Sequence, residues 1–171
     1  MNIITDQTVL AKTSGLIEFF WKQMGEAVEE MEKVLEAVHR QGGVCVVAHP
    51  MNWLTRSVGT RTMRRIAAHP GEGIHLDGIE VANQSPGSGL WRGRAIELNR
   101  NELHLAEVGG SDAHFLDFIG SAYTTYPGRT AADLRRALLE RSTYGEKGAH
   151  PGFRQIGASR LVRQTWRGIM T

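Results

Sequence analysis

Apolar residues recur at helical spacing between positions 24 and 40, and this is the clearest periodic pattern in the chain. They share one face, which predicts an amphipathic α-helix packed on a core. That face consists of Met24, Ala27, Val28, Met31, Val34, Leu35 and Val38. Gly42 and Gly43 predict the end of the helix, because glycine readily adopts the left-handed conformation that closes helices. The apolar run 44–48 then predicts a strand buried on both faces.

The alternation of helix and strand continues to residue 140. Short apolar runs predict strands at 78–81, 105–109 and 121–126, and apolar residues at helical spacing predict helices between them. Thr130 is a predicted N-cap of a last helix, with Asp133 as its capping-box partner. Strands that alternate with helices predict an α/β fold with a mainly parallel sheet. The apolar positions of the two intermediate helices are Met63, Ile66 and Ala67, and Trp91, Ala95 and Leu98.

Composition narrows the class of protein. The chain has 171 residues, is 41% hydrophobic and 22% charged, and has a net charge of +2, values typical of one soluble domain. Cys45 is its single cysteine, which excludes an intrachain disulfide and a cluster of thiolate ligands, and its apolar surroundings predict an inert buried thiol. Asp6 and the lack of a basic leader argue against a signal peptide. With no apolar run of the roughly 18 residues that span a membrane, we expect a cytoplasmic protein without membrane contact.

Residues 141–171 carry six basic residues against one acidic residue, Glu146. We interpret this segment as a basic C-terminal tail, separate from the domain at 1–140, in which residues 1–23 are poorly assigned. A solvated terminus is the favoured interpretation. Binding to nucleic acid or an anionic ligand is the alternative, but it rests on charge alone. Nucleic acid is therefore not an expected partner.

Possible metal ligands occur where two predicted strands end. His49 precedes Pro50 after the first strand, and Asp112 and His114 follow the third. Proline is expected to hold His49 extended, and an extended backbone would direct Asp112 and His114 to the same side. Imidazole nitrogen and carboxylate oxygen both bind first-row metals. Taken alone, each pattern favours a simpler interpretation: an aspartate that caps a turn, or a histidine that closes a strand.

For other polar residues near these motifs, the sequence allows more than one role. Glu80 lies inside an apolar strand, and a structural role is favoured over metal binding; Asn83 is predicted to fix the turn that follows. Arg56 and Arg61 belong to a basic cluster that either binds a phosphate or forms a solvated helix face, and the solvated face is favoured. The remaining histidines are expected at the surface, including His39 on the exposed side of the first helix.

Taken in order, these motifs resemble the C-terminal half of the PHP (polymerase and histidinol phosphatase) superfamily. The resemblance is closest to its stand-alone metal-dependent phosphoesterases, including the PHP-associated region, and it covers residues 30–140. The order and spacing of the motifs make it specific. They are GGVCVVAHP at 42–50, DGIEVAN at 77–83 and GGSDAH at 109–114, followed by Ile119-Gly120, Tyr123-Thr124 and Pro127-Gly128.

The resemblance implies a distorted, TIM-like β/α barrel of seven strands, of which residues 1–140 would form the C-terminal part. It implies hydrolysis of a small phosphate ester by metal-activated water, with zinc, manganese, iron or magnesium as the cofactor. The implied ligands are His49, Asp112 and His114, and Asp112 is also the implied catalytic residue. Glu80 and Asn83 are expected to support the ligands, and Arg56 and Arg61, from their charge alone, are candidates for substrate binding.

One departure from the family pattern changes the expected activity. The family begins with a His-x-His motif at the end of its first strand, and residues 1–40 contain no such motif. The resemblance therefore implies an incomplete or truncated enzyme: a fragment of a longer protein, a product that has lost those strands, or a chain whose barrel a second copy or a partner chain completes. The alternative is a catalytically inactive half-barrel that serves as an assembly module, because a half-barrel leaves strand edges to be covered.

Overall fold

The computed structural model describes residues 26–52, 57–84, 88–113 and 116–149. The described elements comprise four α-helices, five strands, a π-helix that extends the third α-helix, and one 3-10 helix. The helices are α1 (Glu26–Arg40), α2 (Thr60–Ala68), α3 (Ser88–Leu98), the π-helix Asn99–Leu103, the 3-10 helix Leu116–Phe118 and α4 (Ala131–Leu139). The strands are β1 (Val46–Val47), β2 (Gly78–Asn83), β3 (Ala106–Gly110), β4 (Ala122–Thr125) and β5 (Tyr144–Lys147).

A parallel sheet of three strands organises the fold. Its order is β1-β2-β3, with Val47 opposite Ile79 and Ile79 opposite Glu107. The predicted α/β class with parallel strands is confirmed. The described strands form no closed barrel, so the predicted partial TIM-like barrel is not confirmed. β4 and β5 instead form a separate antiparallel pair.

The β4–β5 pair lies against β3. The Thr143 hydroxyl donates to the Glu107 carbonyl at 2.7 Å, and Thr124 Oγ1 is 3.0 Å from both the nitrogen and the oxygen of Gly109. β5 was not predicted from the sequence and belongs to the segment interpreted as a tail. Its residues, Tyr-Gly-Glu-Lys, are mostly exposed and show no alternation of apolar and polar positions, so they lack an apolar strand pattern.

The core lies between the parallel sheet and its helices. Met63, Ile79 and Leu98 belong to one buried cluster, and Leu35, Cys45 and Ile66 belong to a second. The predicted burial of Met63, Ile66, Ala95, Leu98 and Cys45 is confirmed, whereas Ala67 is exposed. No helix in the described ranges is long and apolar enough to cross a membrane.

Two predicted helix ends are confirmed. At the end of α1, Gly43 N donates to Val38 O at 2.9 Å and Gly42 N donates to His39 O at 2.8 Å. Gly42 has a φ of 74°, which completes a Schellman motif. At the start of α4, Asp133 N donates to Thr130 Oγ1 at 3.1 Å and Thr130 N donates to the Asp133 carboxylate at 3.0 Å. These reciprocal bonds form the predicted capping box.

Candidate functional site

Three of the predicted site residues meet where the parallel strands end, at what we call the carboxyl edge. His49 lies two residues beyond β1, and Asp112 lies two residues beyond β3. Glu80 lies in β2 between them, just past the point where β1 ends opposite Ile79. His114 and Arg56 lie outside the described residues. Ligand sites in open parallel sheets occur at this edge, because loops from several strands converge there.

Glu80 connects β1 and β2 at the carboxyl edge. Its Oε2 accepts a hydrogen bond from the His49 backbone N–H at 2.5 Å and another from Asn83 Nδ2 at 2.8 Å. The pairing of β2 with β3 shifts register between Glu80 and Ala82, which leaves Val81 as an extra residue. A bulge of this kind bends a strand and redirects its side chains. Asn83, the last residue of β2, thus holds the Glu80 carboxylate through its side-chain amide.

Glycines bring the strands close enough for this contact. A Cβ atom added to Gly110 would overlap Glu80 Oε1, and one added to Gly109 would overlap the backbone of Tyr123. The missing side chain at Gly109 leaves room for the Tyr123 backbone of β4, and the missing side chain at Gly110 leaves room for the Glu80 carboxylate.

Desolvation raises the pKa of Glu80 to about 7, against an ordinary value of 4.5. The hydrogen bonds from His49 and Asn83 lower this pKa, and the negative charge of Asp112 raises it. The residue as a whole is only partly buried, but its carboxyl group packs against Gly110 and is screened from water there. The effect of Asp112 means that two carboxylates share this edge, an arrangement that favours a bound proton or cation.

The backbone at both strand ends is left-handed, which corrects the expectation of extended geometry. The φ angle is 30° at His49 and 48° at Asp112. The local effect of Pro50 is overridden at His49, where the N–H is held by Glu80 and the carbonyl accepts from Asn52 N at 3.3 Å. Non-glycine residues in this region carry strain of about 1–3 kcal/mol and cluster at functional sites.

The His49 side chain is held in a way that suits a metal ligand. Its Nδ1 lies 2.5 Å from Ser57 Oγ. With the proton on Nδ1, the ring donates to Ser57 and Nε2 is the unprotonated nitrogen, which is the tautomer in which a histidine binds a metal through Nε2. Together with the Asp112 carboxylate, this nitrogen gives a donor set that fits the divalent cation implied by the resemblance.

A small cavity of about 20 Å³ adjoins His49 and Glu80, large enough for about one water molecule. Trp91 and Arg92 on α3 also line it. Trp91 Nε1 is buried, and no acceptor in the described part of the chain bonds to it. Arg92 Nε donates to the carbonyl of Val81, the bulged residue, at 2.9 Å. Neither residue was predicted as part of the site, because Trp91 fits the apolar face of a helix equally well.

The basic residues predicted to bind substrate are only partly described. Arg61 is exposed on α2. Its neighbour Arg64 donates two hydrogen bonds of 2.5 Å to the Glu102 carboxylate, and both side chains are solvent-exposed. The interpretation of this cluster as a solvated helix face is confirmed for Arg64, and the role of Arg61 stays a prediction.

A second polar cluster lies at the opposite, amino edge of the sheet. Asp77, just before β2, accepts hydrogen bonds on Oδ2 from Cys45 N at 2.6 Å and from His39 Nε2 at 2.8 Å. The prediction that His39 lies at the surface is wrong, since its side chain is only 12% exposed. Ligand atoms of His39, Cys45 and Asp77 lie within 4.8 Å of one another, so this cluster could bind a metal.

Together these features describe an α/β protein with possible metal ligands at the strand ends of a parallel sheet. Residues 90–143 match the PHP-associated family model, which is consistent with the C-terminal region of a PHP-superfamily protein and confirms the resemblance. The matched segment contains most of α3 together with β3, β4, α4 and Asp112. No curated protein and no solved structure matches the chain.

Proposed function

We propose that the carboxyl edge is part of the active site of a metal-dependent phosphoesterase, present here in an incomplete form. The convergence of His49, Glu80 and Asp112 on adjacent parallel strands carries the proposal. The PHP-associated match at 90–143 supports it, because it includes the strand that leads to Asp112. The described residues offer no observation that favours the inactive assembly module.

The proposed ligands are His49, Asp112 and His114, with zinc, manganese, iron or magnesium as the cation. A bound cation would lower the pKa of a water molecule and neutralise charge on the phosphate oxygens. Three protein ligands leave positions for water and substrate, as in catalytic zinc sites. Further ligands, and the strands that would complete a barrel, would come from outside the described residues: from another part of a longer chain, a second copy or a partner chain.

The chain's own residues have defined tasks in this proposal. Ser57 holds the His49 ring through Nδ1, and Glu80 holds the His49 backbone through its N–H. Asp112 would serve as a metal ligand. It would also act as the general base that accepts a proton from the attacking water. Trp91 Nε1 and the exposed guanidinium of Arg92 line the adjoining cavity and provide donors for a phosphate oxygen. A small phosphorylated molecule is the proposed substrate.

The experiment compares metal content and hydrolysis of a chromogenic phosphate monoester in the wild type, His49→Ala and Asp112→Asn. Each substitution is expected to lower manganese or zinc affinity at least about tenfold and to abolish any hydrolysis. His69→Ala, which removes an exposed histidine at the end of α2, is the matched control and should behave as wild type. Unchanged metal affinity and hydrolysis in both site variants would overturn the proposal.

A further inference from the structure

We propose that His39, Cys45 and Asp77 form a second metal site at the amino edge of the sheet, suited to zinc. The site is separate from the carboxyl edge, because Cys45 and Asp77 lie just before β1 and β2, whereas His49 and Asp112 lie beyond the ends of β1 and β3. It would join the end of α1 to the starts of β1 and β2. The proposal does not depend on phosphoesterase activity.

The orientation of the His39 ring leaves Nε2 as the nitrogen that could bind a metal. Its Nδ1 lies 2.6 Å from the carbonyl oxygen of Gly73, an acceptor, so this nitrogen bears a proton. The other nitrogen, Nε2, is therefore directed at Asp77, with its ring position fixed by a backbone group. A histidine that donates through one nitrogen to a backbone carbonyl and binds a metal through the other is a recurrent arrangement in metal sites.

The three donor groups of this cluster favour zinc. A thiol, an imidazole and a carboxylate lie within 4.8 Å in a part of the molecule where Cys45 and Asp77 are buried. The soft thiolate selects for zinc over magnesium or manganese, whereas the carboxyl-edge residues offer only nitrogen and oxygen. His75 is the nearest further donor: its ring stacks on His39 at 4.1 Å, and its Nε2 is 3.4 Å from Asp77 Oδ1.

The distances require a small adjustment. Nitrogen and oxygen ligands about 2.0 Å from a tetrahedral zinc lie about 3.3 Å apart. His39 Nε2 and Asp77 Oδ2 are 2.8 Å apart because a proton occupies the space between them. Exchange of that proton for zinc would separate the two side chains by about 0.5 Å. Cys45 keeps its backbone bond to Asp77 while its sulfur turns toward the ion.

The competing interpretation is a purely structural hydrogen-bond cluster. In that case His39 and Asp77 would still join α1 to the sheet, but Cys45 would contribute only an apolar side chain. The two interpretations differ in whether the sulfur contacts a metal. Cys45 is the chain's one cysteine, so a thiolate–metal signal can come from no other residue.

The test is a cobalt titration of the chelator-treated wild-type chain, followed by near-ultraviolet absorption. Cobalt bound to a thiolate gives a charge-transfer band, and we expect the band to saturate at one equivalent. Absence of the band at saturating cobalt would overturn the proposal without reference to any variant. Failure of the proposed function would leave this result untouched, because Cys45 is the chain's one cysteine and lies at the amino edge, so no thiolate is available at the carboxyl edge.

Variants test which residues bind the cobalt. Cys45→Ser should abolish the band, and His39→Gln should weaken cobalt affinity at least about tenfold. His49→Ala should retain the band, and so should His69→Gln, the control for loss of an exposed histidine. Equal cobalt stoichiometry and affinity in Cys45→Ser and the wild type would also overturn the proposal.

Discussion

Gly110 lies directly against the Glu80 carboxylate, with no room for a side chain between them. We expect Gly110→Ala to lower the free energy of unfolding by about 1–3 kcal/mol, because the added methyl group must displace Glu80 or separate β2 from β3. The displacement would also release the His49 N–H, so metal affinity at the carboxyl edge should fall. Urea denaturation and metal titration measure the two effects.

Gly93→Ala is the matched control for that substitution. Gly93 lies inside α3, and a Cβ atom added there meets nothing within 4 Å. Alanine is a better helix former than glycine, so this variant should be more stable by roughly 0.5–1 kcal/mol. Equal destabilisation of both variants would contradict the contact between Gly110 and Glu80.

Glu80 should make the metal-free chain less stable as the pH rises. Its pKa is about 7 in the folded chain and 4.5 in the usual solvated state, so the folded chain binds more protons between these values. Stability therefore falls as the pH rises through that window, by about 3 kcal/mol at 1.4 kcal/mol per pKa unit. Glu80→Gln should remove this loss. Urea denaturation at pH 5 and pH 8 in the presence of chelator measures it.

The control for Glu80→Gln is Glu97→Gln, which changes an exposed carboxylate on α3. This variant should keep the full decline in stability between pH 5 and pH 8. A wild-type protein equally stable at both pH values, or a Glu80→Gln variant that declines as steeply as the wild type, would contradict the buried state of the carboxyl group.

His39 should add a second pH dependence at the other edge of the sheet. Burial lowers its pKa, but hydrogen bonds to Asp77 and the Gly73 carbonyl more than compensate, so the pKa is raised above 6.5. The stabilisation is therefore complete below pH 6.5 and is lost as the pH rises through the higher folded pKa. His39→Gln should cost about 3 kcal/mol at pH 6, because it leaves the Asp77 carboxylate without its cation.

The comparison that isolates His39 is the stability difference between wild type and His39→Gln at each pH, measured without metal. This difference should shrink between pH 6 and pH 9, while the contribution of Glu80 cancels. His69→Gln should stay within about 0.5 kcal/mol of wild type throughout. A difference that stays constant between pH 6 and pH 9 would contradict a raised His39 pKa in this window, because equal proton binding in the folded and unfolded states gives no pH dependence.

The capping box of Thr130 and Asp133 is expected to stabilise the start of α4. Thr130→Ala removes the oxygen that accepts from Asp133 N and should cost about 1 kcal/mol. Thr130→Ser keeps that oxygen and should cost much less. Thermal unfolding of the two variants measures the difference, and equal losses would indicate that packing of the threonine methyl group matters more than the hydrogen bond.

Local patterns predicted most of the fold. The helix ends at Gly42 and Thr130 depend on residues next to one another in sequence, and both were predicted. β5 was missed because Tyr144–Lys147 has no apolar alternation and its pairing with β4 spans about twenty residues. The number of strands in a closed barrel depends on pairings of still longer range, which periodicity does not encode.

The positions of the candidate site residues at strand ends were predictable, but their backbone geometry was not. His49 and Asp112 were proposed as ligands because they follow apolar runs, yet both adopt left-handed backbone. The bond from His49 N to Glu80, 31 residues away, outweighs the local preference that Pro50 imposes. His39 was misjudged for a similar reason: its partner Asp77 is 38 residues distant, so the helical pattern alone placed it in solvent.

β1 has only two residues, and it separates the two polar clusters. Cys45 is bonded to Asp77 on one side of it, and His49 is bonded to Glu80 on the other. A ligand that shifts β1 along β2 at one edge must therefore alter the geometry at the other. Thermodynamic linkage makes such an influence reciprocal: whatever occupancy of the amino edge does to affinity at the carboxyl edge, occupancy of the carboxyl edge does in equal measure in return.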